Sequence, residues 1–175
     1  MIRLVITGGQ TGADIGGWRA ARARGVFTSG WMTIGYETER GPRPEYAREF
    51  GAIEIPEEFR AVPQHQQQAI RRRLNAEWAD AIVLFGDRES RGSRGLIADA
   101  KSHKRPLYWA EPGVATPRRL AAWLAPWGRI PMRLMVAGNR ESGAPGIAAR
   151  VQAFTEAAIR IVNGDHRPDA TEPEA

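Results

Sequence analysis

Apolar residues follow two rhythms along this chain, unbroken short runs and stripes at helical spacing, with glycine-rich turns between them. Ile2–Ile6 is apolar except for Arg3, and Ala81–Phe85 is apolar throughout. Residues 106–110 and 133–137 repeat the pattern in shorter form. Runs without polar alternation predict strands buried on both faces, the habit of a parallel sheet. Helices are predicted between them. In residues 13–24, Ile15 and Trp18 share a face with Ala21 and Arg22, and in Gln64–Trp78 the residues Ile70, Leu74 and Trp78 recur every fourth position. Residues 95–103 and 116–124 are also helix-compatible, the latter with Thr116 as N-cap and Pro117 in the first helical position. Ile147, Val151, Phe154, Ala158 and Ile161 draw one stripe among polar neighbours and predict a last helix that packs on the sheet. Asn163-Gly164 ends it.

Residues 25–63 are irregular, rich in glycine and proline, with a short alternation at 52–55 that suits an edge strand. Long ordered loops of this kind are often functional. Residues 86–94 are expected to form a polar loop and 138–146 another glycine-containing turn. Alternating strands and helices predict an α/β fold, a doubly wound, mostly parallel sheet in one domain over residues 1–164. The acidic, proline-containing segment 165–175 lacks apolar residues and is expected to be disordered. In such sheets ligands collect beyond the carboxyl ends of the strands, where every glycine-rich turn named here falls.

Composition narrows the chemistry. The chain has no cysteine, which excludes disulfides, thiolate metal sites and cysteine nucleophiles and fits a cytoplasmic location. No apolar run is long enough to span a membrane, and no signal-peptide pattern opens the chain. The net charge is +5, and setting aside the four acids and one arginine of residues 165–175 leaves 24 basic and 16 acidic residues. The basic residues are almost all arginine, in clusters such as Arg19/Arg22/Arg24, Arg71-Arg72-Arg73 and Arg88/Arg91/Arg94. They are not interleaved with aromatics as in grooves for single-stranded nucleic acid, so a nucleic-acid partner ranks last.

Three turns are candidates for a site. Gly8-Gly9-Gln10-Thr11-Gly12, followed by Ala13 and Asp14, joins the first strand to the first helix; glycines let an anion approach the backbone, and a helix amino end offers N–H groups to phosphate. Asp14 is placed to cap the helix or hold a hydroxyl. The spacing is neither the dinucleotide fingerprint nor a Walker loop, and a tight strand-to-helix turn would ask for the same small residues. Gly138-Asn139-Arg140-Glu141-Ser142 follows the last strand, where Arg140 could clamp a phosphate bidentately or pair with Glu141 on the surface. Gly92-Ser93-Arg94 could form an opposite wall or simply a solvated basic loop.

Trp31, after Gly30, could stack on a heterocycle or anchor its loop in the core. His65, His103 and His166 fall outside these turns, and no metal site or nucleophile–base triad is predicted. Glu37, Glu39 and Glu141 remain as possible acids or bases. No catalytic residue is assigned; were the chain an enzyme, Glu141 and Glu39 would be the candidates.

Several segments taken together carry a resemblance. Gly8-Gly9-Gln10-Thr11-Gly12-Ala13-Asp14, Gly30-Trp31, Glu39-Arg40-Gly41-Pro42-Arg43-Pro44-Glu45-Tyr46, Asn75 ahead of Asp80-Ala81-Ile82, and Val136 through Ile147 resemble, in order and spacing, the family designated putative molybdenum carriers, relatives of the molybdenum cofactor carrier proteins. The resemblance implies a Rossmann-like three-layer fold, in a wider group with the cytokinin-activating phosphoribohydrolases and DNA-processing protein A. It also implies a phosphorylated small-molecule ligand, the pterin of the molybdenum cofactor or a nucleotide, and a homo-oligomer packed through helices. Its implied ligand-side residues are Gly8, Gly9, Gln10, Thr11, Gly12, Asp14, Gly138, Asn139, Arg140, Glu141 and Ser142.

The chain departs from the pattern after Trp31, where Met32-Thr33-Ile34-Gly35-Tyr36 replaces a basic stretch, and at Ser93-Arg94-Gly95 in place of a Gly-Thr pair. The phosphoribohydrolase signature Pro-Gly-Gly-x-Gly-Thr-x-x-Glu is missing. The leading expectation is therefore a non-catalytic carrier, ahead of a nucleoside-monophosphate N-glycosidase and a single-stranded DNA-binding module.

Overall fold

Both predicted rhythms appear in the computed structural model, which describes residues 1–164; the segment 165–175, expected to be disordered, lies outside the described residues. Strands β1 (Ile2–Ile6), β2 (Phe27–Met32), β5 (Ala52–Glu54), β6 (Ala81–Phe85), β7 (Leu107–Ala110) and β8 (Met132–Gly138) form one sheet, while β3 (Glu37–Thr38) and β4 (Gly41–Pro42) form a small hairpin. Helices α1 (Ala13–Ala23), α2 (Tyr46–Phe50), α3 (Gln64–Trp78), α4 (Arg91–Ser102), α5 (Pro117–Leu124) and α6 (Ile147–Asn163) connect them.

The sheet order is β5-β2-β1-β8-β6-β7, with every pairing parallel. From β1 the chain moves outward through β2 to β5, α3 carries it across to β6 and β7, and β8 returns into the gap between β1 and β6. The centre of the sheet is thus made by the first and last strands.

Strand β6 is buried at every position, as its unbroken apolar run requires. Ala81, Val83 and Phe85 join the core beneath α1, α5 and α6, while Ile82 and Leu84 join the core beneath α3 and α4. Helix α1 lies close against its surroundings because it carries two glycines. A Cβ on Gly16 would stand 2.5 Å from the Ala148 carbonyl oxygen, and one on Gly17 would stand 2.7 Å from Val136 Cβ. Trp18, fully buried, stacks on Phe50 of α2 with centroids 4.8 Å apart and donates its indole N–H to the Ser29 carbonyl at 3.0 Å.

Three sequence expectations need correction. The segment 25–63 is not a loop with one edge strand; it holds β2, the hairpin and α2, and its edge strand is β5. Phe27–Met32 carries few core residues because only Gly30 and Met32 of it are buried, so its apolar signal is weak. Helix α4 starts at Arg91 rather than 95, because the Ser90 side chain accepts the Ser93 N–H at 3.1 Å and caps it. On α6 the stripe turns with the 3.6-residue period, so Ile159 is buried while Ile161 is 45% exposed.

Helix α3 is tied to the sheet by polar groups. Its apolar residues Ile70, Leu74 and Trp78 are half-buried, whereas Gln67 and Asn75 are buried. Asn75 accepts the Trp31 N–H at 2.8 Å and donates to the Trp31 carbonyl at 2.9 Å, clamping one residue of β2 through both its backbone groups. Asn75→Ala leaves both groups unpaired in the interior. It should cost about 2 to 4 kcal/mol, a fall in melting temperature of about 5 to 15 °C. A loss below 1 kcal/mol in urea unfolding would contradict the clamp.

Candidate functional site

Strand β8 outruns β1. Ile6 pairs with Met135, whereas Phe85 of β6 pairs with Gly138, so the last three residues of β8 project past the end of β1. The overhang lowers residues 139–142 onto the turn 7–14. The Ala13 N–H donates to the Asn139 carbonyl at 3.0 Å and the Glu141 N–H to Thr11 Oγ1 at 3.3 Å. A Cβ on Gly12, whose φ is +79°, would stand 2.3 Å from that Asn139 oxygen; one on Gly9, φ +69°, would stand 2.4 Å from Met32 Sδ. These glycines are required for close packing of three strand ends. The first two candidate turns named from the sequence, 8–14 and 138–142, are thus in direct contact.

Their hydrogen-bonding capacity is mostly spent on each other. Thr7 Oγ1 accepts the Gly9 N–H at 3.0 Å, Asp14 Oδ2 the Gln10 N–H at 3.1 Å, and Gln10 Oε1 the Thr11 N–H at 3.0 Å. The expected backbone cradle is satisfied by the turn's own side chains. Glu39, in the bend between β3 and β4, completes the knot. It accepts the Thr11 hydroxyl, the Ser142 N–H at 3.2 Å and the Ser142 hydroxyl at 2.5 Å, and its own N–H donates to Gln10 Oε1 at 2.8 Å. Burial pushes the Glu39 carboxyl up, but the Ser142 and Thr11 donors and the Arg140 charge outweigh it and hold the group below its ordinary pKa. Glu141 accepts the Gly146 and Ala148 N–H groups at 2.5 and 3.1 Å, capping the start of α6, and these bonds lower its pKa. Glu39 and Glu141, the two carboxylates that would be the candidates in an enzyme, are thus ionised and engaged.

Two arginines bring positive charge to this edge. Arg71, on the same face of α3 as Gln67 and Asn75, reaches over the β1 turn and donates Nη1–H to the Gly8 carbonyl at 2.7 Å. Its Nε is buried with no hydrogen-bond partner. Gly8 separates it from Asp14, since a Cβ there would stand 2.8 Å from Arg71 Cζ and 3.0 Å from Asp14 Oδ2. Burial lowers the Arg71 pKa, Asp14 opposes that, and the neighbouring charges of Arg140 and Arg72 reinforce it. Arg140 extends from the β8 turn to Gln68 Oε1 on α3 at 3.2 Å. Two guanidinium groups therefore share this edge with the buried Asp14. Sequence reading passed over Arg71 as one of three consecutive surface arginines. The available signal was the four-residue spacing of Gln67, Arg71 and Asn75, a polar stripe beside the apolar one.

The remaining candidates lie elsewhere. Gly92, Ser93 and Arg94 sit in the first turn of α4, not in a loop; Ser93 is buried and accepts the Ser90 hydroxyl at 2.9 Å. Among the described residues no hydrogen bond joins them to the other two turns. Trp31 lies within β2, its backbone held by Asn75. No group of three or more His, Asp or Glu placed to hold a metal occurs among the described residues. No helix there is long and apolar enough to cross a membrane. A cavity of about 860 Å³ opens beyond the carboxyl ends of β6 and β7 and meets the β8 turn at Asn139.

A doubly wound parallel sheet with the first and last strands at its centre is a Rossmann-like α/β fold. The chain belongs to the circularly permuted YpsA SLOG family, whose sequence profile matches residues 5–159. No curated protein matches it. Among solved structures it is similar to the "Putative molybdenum carrier protein" from Syntrophus aciditrophicus SB, with a TM-score of 0.74 and 22% identity over 90% of this chain and 95% of that one. At that identity the likeness establishes the fold.

Burial pushes the Asp14 carboxyl up from 3.8 to about 6, against the pull of Arg71, the Gln10 and Gly8 N–H groups, and Arg140. Because this pKa lies above that of the unfolded chain, the folded state keeps a proton between about pH 4 and 6 that the unfolded state releases. The contribution of Asp14 to stability therefore rises as pH falls from 7 to 5. Wild type should gain about 1 to 3 kcal/mol on this change relative to Asp14→Asn in urea unfolding. Equal pH slopes for the two proteins would refute the assignment.

Proposed function

We propose that this chain is a non-catalytic binding or carrier protein for a phosphorylated heterocycle, a molybdenum cofactor-like pterin or a nucleotide, whose phosphate pairs with Arg71 and Arg140 beyond the ends of β1 and β8. The observation that carries this reading is the buried Arg71 Nε with no partner, in a guanidinium that already senses two other arginines. Burying a charged donor without an acceptor is costly, and an anionic oxygen is the partner that relieves it. Asp14, whose pKa burial raises to about 6, is one counter-ion set beside two guanidinium groups, and it loses its charge as pH falls through that value. The similar protein from Syntrophus aciditrophicus is named "Putative molybdenum carrier protein", which supports the carrier reading and keeps a molybdenum cofactor-like pterin among the candidate ligands.

Neither rival draws support from the geometry. Glu39 and Glu141 are tied down as ionised acceptors and have no proton to give a leaving base. The run Arg71-Arg72-Arg73 is not a surface strip for nucleic acid either, since Arg71 turns inward and Arg72 pairs with Asp99 at 2.6 Å.

Arg71→Ala should weaken binding of GMP, or of a monophosphorylated pterin, by about 10- to 100-fold in calorimetry, as expected for a lost charge-assisted pair. Arg140→Ala, at an exposed position, should lose less. If Arg71→Ala binds as tightly as wild type, or if no phosphorylated heterocycle binds wild type, the proposal fails.

A further inference from the structure

The cavity beyond β6 and β7 takes no part in the arginine site, yet it meets it at Asn139. Its volume, about 860 Å³, falls in the range of small-molecule sites, ~300–1,000 Å³. The deep wall is apolar. Phe85 and Phe154 meet edge to face with centroids 5.2 Å apart, and Ala110, Ile147 and Val151 close around them. Trp109 forms a flat side whose indole N–H is already used, donating to the Gly86 carbonyl at 3.1 Å, so it offers the cavity carbon surface alone. Arg88 lies over the Trp109 ring, 5.6 Å from its centroid. Flat, apolar walls of this kind suit an aromatic ring better than a sugar or an extended chain.

One amide gives the cavity a reading edge. The Asn139 backbone is held on both sides, its N–H by the Phe85 carbonyl at 3.1 Å and its carbonyl by the Ala13 N–H at 3.0 Å. Its side chain makes no hydrogen bond among the described residues, although it is positioned tightly. It lies against Gly86, where a Cβ would stand 2.6 Å from Asn139 Cγ. A primary amide offers a donor and an acceptor side by side, which matches the edge of a purine or a pterin. The next residue, Arg140, belongs to the anion site.

We propose that this cavity seats the planar nitrogen heterocycle of the ligand, purine or pterin, with Asn139 pairing to the ring edge. The phosphate then lies across the β8 turn at Arg71 and Arg140, a placement that rests on the function proposed above. The ring site itself stands on the cavity and on Asn139.

The test separates the two. Ala144, half-buried at the cavity wall, is replaced by Trp to fill the space, with Ala115→Phe from another wall as a second variant should the first fail to fold. Binding of guanosine, neopterin, GMP and inorganic phosphate to the full chain is measured by calorimetry, with melting temperatures as the folding control. Ala144→Trp should weaken GMP and guanosine or neopterin at least 10-fold and leave phosphate unchanged. Asn139→Ala should weaken the heterocycles with a smaller loss. Unchanged GMP and neopterin affinity in a folded cavity-filled variant overturns the proposal, as does the failure of every heterocycle, phosphorylated or not, to bind wild type. Should guanosine or neopterin bind in a manner sensitive to Ala144→Trp while Arg71→Ala leaves GMP affinity unaltered, the ring site stands and the phosphate reading falls.

Discussion

At the centre of the sheet, β1 and β8 come from opposite ends of the chain, and the carboxyl edge depends on how closely their following turns approach. The contact that sets this distance is between the Gly12 backbone and the Asn139 carbonyl, where no side chain larger than hydrogen fits. Once it forms, Ala13 donates to the same carbonyl, α1 is aimed along the sheet, and its two glycines bring it against α6 and β8. The same approach brings Thr11 and Ser142 to Glu39, so the β3–β4 hairpin is drawn into the joint as well. Remote parts of the sequence are thereby locked at one point, and their order along the chain has little bearing on the geometry there. That is the physical sense in which a permuted chain keeps this fold.

Much of the fold was legible because parallel strands buried on both faces leave an unmistakable apolar run. Ala81–Phe85 is the clearest case, and α3 and the Thr116 cap of α5 follow from equally local rules. Strand β2 was not legible, since its sequence Phe-Thr-Ser-Gly-Trp-Met is fixed by its neighbours β1 and β5 rather than by its own burial. The start of α4 was misplaced for a related reason. Ser90 caps a turn whose residues, Arg91-Gly92-Ser93-Arg94, look like loop when read for composition alone.

The candidate site was half legible. Glycine-rich turns at strand ends pointed to the edge of the sheet where the proposed site lies, and Arg140 was among the residues named there. The assumption that glycine means a backbone open to an anion was the error. In this chain Gly9 and Gly12 make room for Met32 and Asn139, and the N–H groups around them are taken by Thr7, Asp14 and Gln10. Arg71 was hidden because it is supplied by a helix that approaches from the other side of the sheet, 63 positions along the chain from Gly8. Long-range donors of that kind leave no spacing in the sequence near the turn they serve.

An anion site of the kind proposed, built from guanidinium groups, behaves differently from one built from a helix amino end. Backbone N–H groups are neutral dipoles and can stand with water at modest cost, whereas Arg71 and Arg140 repel each other and the buried Arg71 Nε has no hydrogen-bond partner. Close by, the knot of Gln10, Thr11, Glu39 and Ser142 ties the β1 turn, the β8 turn and the β3–β4 hairpin into one frame. Rigidity of this origin also explains why the carboxylates nearest the site are spent on structure. Glu39 and Glu141 hold the frame, and Asp14, its pKa raised to about 6 by burial, is the carboxylate set beside Arg71.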